Sequence, residues 1–445
     1  MSTDLISIAR SGATAARIAL DLTAQNIANA ATEGYVRRSA RLEEIAPASG
    51  PGQIDEVSFS GVRFAGITRN ADVYRQAEVR RTGSDVARAD AEVAGLTDME
   101  AAVEQSGLYP ALVKFEASLG QLAADPVNPS LRAAALEDAR TAARTFTIAA
   151  SGLDAVGDGL QFEAQDGVAQ VNLLGGELAK VNLRLARASD GSTDRTALLD
   201  QRDALLEKLA GFADISTTIA ADQTVHVAMA GAGGPTLVNG GTVSTFASTT
   251  AADGTLSFTL AGTPVALAGG ALAGKAQALV TLAEMRGRLD ATAASLIAVA
   301  NAAQANGVAL DGSPGQPLFS GTRAADIAVA LSSGAQLATA PAGAPAGSRD
   351  PANLNALRAA LTGAGVTDQA DAALFAISSA VAGRTVTREA LQTIASSALA
   401  AYDAQSGVDL DAEAVNLIRF QQAFQASGRA MQVASTLFDT ILSIR

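Results

Sequence analysis

The sequence of 445 residues predicts a mainly α fold. The expected form is an elongated nested multidomain rod, with paired N- and C-terminal coiled-coil helices and a small inserted β domain. Three observations predict it. Apolar residues recur at steps of three and four in both the first and the last forty residues, the pattern of helices that pack along a seam. Hydrophobic residues reach 48%, yet much of that is alanine, with 13 phenylalanines, 4 tyrosines and no tryptophan, which suits close-packed long helices rather than a bulky core. Between Gln223 and Gly274 only Asp253 carries a formal charge while glycine and threonine abound, marking a segment of different character.

The first segment, from Asp4 to about Ala31, reads as one helix whose seam is Leu5, Ile8, Gly12, Ala15, Ala19, Leu22, Asn26 and Asn29. Gly34 then offers the left-handed position at which helices commonly stop. Residues 36–69 read as extended and irregular, since "SGPGQIDEVSFSGVRFAGITR" mixes small polar and apolar residues between glycines. Helix resumes near Asp72 and runs to about Gln105, with Val79, Val86, Val93, Leu96 and Val103 at heptad spacing. A short helix around Ala111 to Ala124 ends at "DPVNPS", where two prolines force a turn. A very long helical tract follows, interrupted in propensity by glycines at 152, 157, 159, 175 and 176.

"RTALLDQRDALLEKLAGF" is a further amphipathic helix, and "TVHVAM", "LSFTL" and "TPVAL" read as short strands of an inserted β domain at 213–270. Helix returns from Lys275 to Ala305, followed by the loop "GVALDGSPGQPLFSG" and an Ala/Pro-rich stretch at 332–348 expected to be linker or exposed loop. The last forty residues begin at Asp409, a predicted N-cap, with Asp411 and Glu413 in the first turn where the helix dipole favours anions. Leu417, Phe420, Phe424, Ser427, Met431, Ala434, Phe438 and Ile441 form the closing seam. Small Gly12, Ala15 and Ala19 are expected to face Phe420, Phe424 and Phe438. Pairing the two ends nests the domains: 1–35 with 408–445 as the inner helical domain, 36–212 with 271–407 as the helical body, and 213–270 as the outer β insertion.

Composition excludes much. A formal net charge of −13 argues against nucleic acid as a partner, because phosphate binding needs basic surface. No cysteine is present, which removes disulfides, thiolate metal sites and thiol nucleophiles, and one histidine, His226, leaves little imidazole chemistry. No catalytic, cofactor-binding or metal residues are expected, and no cofactor. Asp409 with Asp411 suits a helix start, Asp311-Gly312 suits a turn, and His226 sits in a strand-like alternation. "ALDGSPG" lacks the spaced oxygen ligands of a calcium loop. Arg10 and Arg17 interrupt what would be the apolar core of a signal peptide, and uncharged runs are too short to span a bilayer. A soluble chain without a cleaved leader or membrane insertion is the expectation, and not an enzyme.

Charge is unevenly placed. Residues 1–40 hold four arginines against three acids and residues 407–445 three against four, so the −13 lies in the middle. Near-neutral, apolar, heptad-patterned ends suit packing against further helices, and a thin helix pair gains most of its stability from tertiary partners. Other protein chains are therefore expected to complete the ends. Asn26 and Asn29 leave two readings open: register-fixing amides in an assembled bundle, or a last turn open to water. Tyr35 reads as a packing residue, Arg37 and Arg38 as solvated.

The stretch "NIANAATEGYVRR" resembles the N-terminal signature of bacterial flagellar rod, hook and hook-associated proteins, an Asn-x-x-Asn followed by Thr-x-Gly-Tyr-x-Arg, here Asn26, Asn29, Thr32, Gly34, Tyr35 and Arg37. "LLDQRDALLEKLAGF", "FAGITRNADVYRQAEVRRT", "NAAQANGVALDGSPGQPLF" and the ending "NLIRFQQAFQASGRAMQVASTLFDTILSIR" are similar to the hook-associated members at the hook–filament junction. The resemblance covers roughly residues 1–215, 271–320 and 350 to the end. It implies a structural protein of the flagellum, exported without a cleaved signal peptide and extracellular, assembling as a helical ring with itself, with hook protein and with the next junction protein. It also implies an export chaperone at the C-terminal region. The expected assembly interface is the two seams, Leu5, Ile8, Gly12, Ala15, Ala19, Leu22, Asn26 and Asn29 with Leu417, Phe420, Phe424, Met431, Phe438 and Ile441. Many relatives carry more outer sequence after the "GQPLF" loop, so one small outer domain is expected here. The alternatives are another axial hook or rod protein, and a cytoplasmic helical adaptor.

Overall fold

The computed structural model describes residues 2–32, 34–45 and 61–443. Residues 46–60, which fall within the stretch read as extended, lie outside the described residues, as does the side chain of Ile441. The fold is mainly α, with a long helix near each end of the chain and, among the described residues, a four-stranded sheet, a three-stranded sheet and three two-stranded ribbons between. Two compact units form: Met1–Ser84, Gln170–Phe246 and Gln392–Arg445 make the first, Asp85–Ala169 and Ala247–Leu391 the second.

In the first unit, helix α1 (Ser2–Ala28) packs against α9 (Leu410–Ser443), so the two ends of the chain meet. The approach is close: a Cβ added to Gly12 would lie 3.0 Å from Ser427 Oγ. Ala15, Ala19 and Leu22 are buried on this face of α1. The expected pairing of Gly12 with a phenylalanine needs correction. Gly12 meets Ser427, and Phe424 and Phe438 remain 43% and 39% exposed, because a single thin partner helix covers only one flank of so large a ring.

After α1 the chain turns through Gly34, whose φ of +74° confirms the left-handed position, and forms a two-stranded antiparallel ribbon of β1 (Arg38–Glu44) and β2 (Val62–Arg69). Gly66 on β2 and Gly191 touch backbone to backbone: a Cβ on either would fall within 3 Å of the other's Cα. Only glycine fits on both sides of that contact, and Ile67 N–H donates to Gly191 O at 3.1 Å. Helix α2 (Val73–Ser106) is followed by α3 (Leu108–Ala124), α4 (Pro129–Leu185) and α5 (Thr193–Phe212). Ser192 caps α5, its hydroxyl accepting from Arg195 N–H at 3.1 Å.

Helix α4 runs unbroken for 57 residues through all five glycines. Two of them sit at close helix contacts: a Cβ at Gly152 would meet Ala102 at 3.1 Å, and one at Gly157 would meet Leu282 at 2.8 Å, whereas one at Gly159 or Gly176 would meet nothing within 4 Å. At those two positions close helix approach offsets the propensity cost of about 1 kcal/mol per glycine.

The low-charge segment forms two antiparallel sheets. Strands β3 (Ile215–Ile219), β4 (Val225–Met229), β5 (Thr236–Asn239) and β6 (Thr242–Val243) lie in that order, and β7 (Phe246–Thr250), β8 (Leu256–Leu260) and β9 (Thr263–Val265) make the second. Asn182 on α4 anchors the first sheet, donating to Val225 O and Gly240 O and accepting from Val225 N–H.

The second unit is built on one continuous core of α3 and parts of α2 and α4, with α6 (Gly270–Ala305), α7 (Ala352–Ala364) and the start of α8 (Val366–Ser406). Phe115, Phe146, Leu119, Leu153 and Met99 are fully buried in it, and Phe115 meets Phe319 edge-to-face at 6.1 Å. Within 332–348, expected as linker or exposed loop, residues 337–340 are packed instead, while 342, 343 and 345–347 are exposed. Leu337, Ala338, Thr339 and Ala340 are buried. Arg132, only 1% exposed, donates to Pro126 O, Gly334 O, Leu337 O and Thr339 Oγ1, holding the segment by its backbone. Small residues let the chain lie flat on the helices while a long side chain from α4 satisfies its carbonyls.

Candidate functional site

The signature residues gather where α1, the ribbon, α5, and the junction of α8 with α9 come together. Asn26 is the centre. It is 1% exposed on the last turns of α1, and its amide bridges three partners. Asn26 Nδ2 donates to Arg38 O at 2.8 Å and to Glu413 Oε2 at 3.2 Å, while Oδ1 accepts from Arg38 N–H at 3.0 Å and from Tyr35 O–H at 2.9 Å. An amide suits this position because its nitrogen donates to and its oxygen accepts from the same backbone residue at once. Asn29, half-buried, plays a local part: its Nδ2 donates to Gln25 O at 2.9 Å and its Oδ1 accepts from exposed Thr32 at 3.4 Å, closing the helix end.

Arginines expected to be solvated are tied down. Arg37 Nε reaches Glu413 Oε1 at 2.7 Å, and Glu413, in the first turn of α9, is 1% exposed. Arg38 Nη2 pairs with Asp200 Oδ2 at 2.5 Å and its guanidinium lies 5.0 Å over the Tyr35 ring. Arg37 N–H donates to Ser406 O at 3.0 Å, and Asn70 N–H donates to Arg37 O at 2.9 Å, so the extended residues after Gly34 stitch the end of α8 to the end of β2.

The network continues through the "DQRD" turn of α5. Arg69 Nη2 lies 2.8 Å from Asp200 Oδ1 and 2.9 Å from Asp203 Oδ2, and Arg202 holds Asp203 Oδ1 through Nε and Nη2 at 2.9 and 2.7 Å. Gln76 Nε2 donates to Asp203 Oδ2 and to Tyr402 O–H, both at 3.0 Å. Burial alone would push the Asp203 carboxyl up, but Arg202 and Arg69 outweigh it and hold it below the ordinary carboxylate value. Burial pushes the Tyr35 phenol up, with Arg38 opposing, and pushes Tyr402 up as well.

Chemically the cluster is a clamp. Its carboxylates are occupied by guanidinium groups, and removing one partner of such a pair leaves a buried charge at a cost of about 3–5 kcal/mol. Elsewhere, His226 Nε2 bonds Thr236 Oγ1 at 3.1 Å in β4, Asp311 Oδ1 accepts from Ser313 in a turn, and Asp409 Oδ1 caps α9 through Asp411 N–H at 2.9 Å and Ala412 N–H at 3.1 Å. Among the described residues no group of His, Cys, Asp or Glu is placed to hold a metal ion.

The seam residues divide. Ala15, Ala19, Leu22 and Asn26 are buried and Ile8, Gly12, Leu417, Phe420 and Met431 half-buried, whereas Leu5 at 51%, Phe424 and Phe438 face outward. Thr32 and Gly34 are exposed, Tyr35 and Arg37 half-buried. Sequence reading missed Glu413, Asp200, Asp203, Arg69 and Tyr402 as members of the site. Glu413 had a signal: it precedes Leu417 and Phe420 by four and seven residues, a carboxylate on the seam itself. Asp200 and Asp203, three apart on one helix face, had another.

A family model described as the flagellar hook-associated protein FlgK helical domain matches residues 95–319, half of the chain. The chain belongs to the FlgK family. Two further models match its ends, the flagella basal body rod protein over residues 6–35 and the flagellar basal body rod FlgEFG protein C-terminal region over 400–444. Those two ends are the helices that the clamp joins.

Among FlgK relatives, the chain is similar to flagellar hook-associated protein 1 of Bacillus subtilis (strain 168), 28% identical over 220 residues, which cover 48% of this chain and 43% of that protein. It is also similar to flagellar hook-associated protein 1 of Salmonella typhimurium, 27% identical over 242 residues, covering 54% and 43%. The solved flagellar hook junction protein FlgK from Burkholderia pseudomallei shares the fold, with a TM-score of 0.50 and 23% identity over 55% of this chain and 46% of that one. The chain thus spans under half the length of the relatives it matches. No helix among the described residues is long and apolar enough to cross a membrane.

Proposed function

We propose that the chain is a structural component of the bacterial flagellum, assembling through its terminal helices as a ring of identical subunits at the junction of hook and filament. Family membership supports the flagellar assignment. The observation that carries the mechanical reading is the clamp: Asn26, Arg37 and Glu413 join the two ends of the chain, while the helices they join keep Leu5, Phe424 and Phe438 exposed. A pair of helices anchored at one end and incompletely covered along its length suits completion by neighbouring copies.

On this reading the domains are 1–35 with 408–445 as the inner assembly domain, 36–212 with 271–407 as the body, and 213–270 as the outer insertion. The partners are further copies of the chain, hook protein, the next junction protein and an export chaperone bound at the C-terminal region. The protein works outside the cell, exported without a cleaved signal, and is not an enzyme. Its two seams supply the assembly interface. The terminal helices are marginal in the free subunit and gain their full stability on assembly.

Rod-type matches at both ends favour a second reading as another axial rod or hook component. Deleting the gene separates them. A junction role gives cells with completed bare hooks and flagellin shed into the medium. Cells that build no hook support the second reading, and cells with normal filaments oppose both.

A further inference from the structure

One groove in the first unit lies beside the clamp, with Tyr35 and Tyr402 in its lining. It runs between α2, α5 and α8 and on to the turn after α1 and the junction of α8 with α9, as two hollows of about 630 and 350 Å³ that share Val79, Glu207 and Leu399 in their linings, with buried Arg80 as a cation in the smaller one. Its floor is apolar, from Val79, Leu399 and the Tyr402 ring, and the exposed carboxylates of Glu207, Asp403 and Asp409 line it. Its walls are bare at Gly83 and Gly211, where an added Cβ would meet nothing within 4 Å.

The same chain carries a surface of the opposite character. Along α9, on the side away from Glu413 and Ala434, Val415, Ile418, Val433 and Leu437 are 65%, 55%, 60% and 48% exposed. Their spacing places them within one helical face, and Arg419 and Arg429, both exposed, lie among them. Neither arginine has an ion-pair partner among the described residues. An apolar stripe bearing guanidinium groups complements an apolar groove bearing carboxylates.

We infer that the acidic groove receives the basic, apolar face of α9 from a second copy of the chain. The inference rests on the proposed self-assembly and names its contact. Because the two surfaces differ, the contact is heterologous: each copy offers one groove and one helix face, and such contacts propagate into rings or helical lattices rather than closing as a two-fold dimer. Arg419 and Arg429 would select register by pairing with the rim carboxylates, and the apolar side chains would supply the burial.

The chain contains no cysteine, so introduced pairs report a single contact. Flagella carrying the full chain with both Ser396→Cys, in the groove, and Val433→Cys, on α9, should give covalent multimers on oxidation, and each single replacement should give none. Flagella that contain the doubly substituted chain but yield no multimers would overturn the groove contact and leave the junction assignment standing. Flagella lacking even the unsubstituted chain would overturn both. As a second readout, Asp403→Arg should weaken subunit association by about a hundredfold and reduce incorporation, and adding Arg429→Glu in the same chain should restore it. Unchanged incorporation in Asp403→Arg, or no restoration in the double variant, would overturn the inference.

Discussion

The core of the second unit and the helix pair of the first are both built from long helices, yet they are held in different ways. In the core, Phe115, Phe146, Leu119 and Leu153 are fully buried from every side by α3, α4, α6 and α7. On α9, by contrast, Glu413 and Ala434 are the buried residues among those described, and one of them is a carboxylate. The core is stabilised by area removed from water, about 25 cal/mol for each Å². The helix pair is stabilised at one end by a polar clamp and along its length by a seam too lean to cover its own phenylalanines. Burial makes a self-sufficient body, and on the proposed assembly a clamp with an open seam makes an end for neighbouring copies to complete.

The largest expected effect breaks the body. Phe146→Ala should cost about 3–5 kcal/mol of global stability, read as a lower denaturant midpoint, because its ring leaves a cavity that neighbouring helices cannot close. Next, Glu413→Ala should strand the Arg37 guanidinium and one donor of Asn26, loosening α9 by about 3 kcal/mol while the body transition stays where it was. Glu413→Ala lowering the body's midpoint as much as Phe146→Ala would erase the contrast.

Smaller still in the free subunit is Phe424→Ala. A ring already 43% exposed contributes little alone, so the change in monomer stability should stay within about 1 kcal/mol, while attachment of filaments is lost. Met431→Glu should act in the same direction. Normal motility in either strain would contradict the assembly role of the seam. The smallest effect is with pH. Asp203 is held below its ordinary value, so its contribution is complete above the unfolded-state pKa of about 3.9 and is lost as pH falls through the lower folded value. Acid titration of the intact chain should show that loss, and Asp203→Asn should flatten it.

Much of this was legible in the sequence. Heptad spacing located α1 and α9 and their meeting, Asp409 was read as the N-cap it is, and the fall in charge after Gln223 marked both sheets. What periodicity misses is partnership at a distance. Arg37 and Arg38 looked solvated because their carboxylates lie 376 and 162 residues away. Of the two readings of Asn26, the turn open to water is the one the structure overturns. Asn26 is shielded from water, and within a single chain it serves Arg38, Tyr35 and Glu413 together. Residues 334–339 look like linker because most of them are small, yet small residues are what let this part of the stretch lie under Arg132. In α4, Gly152 and Gly157, two of the glycines that argue for breaks, are where α2 and α6 approach closely.

Amide hydrogen exchange on the isolated full-length subunit tests the central claim most directly. The account predicts strong protection through the buried stretches of α3, α4 and α6, and weak protection along α9 beyond the turn that holds Glu413. Equal and strong protection of α9 in the free subunit would show that the end of the chain needs no neighbour, and would contradict it.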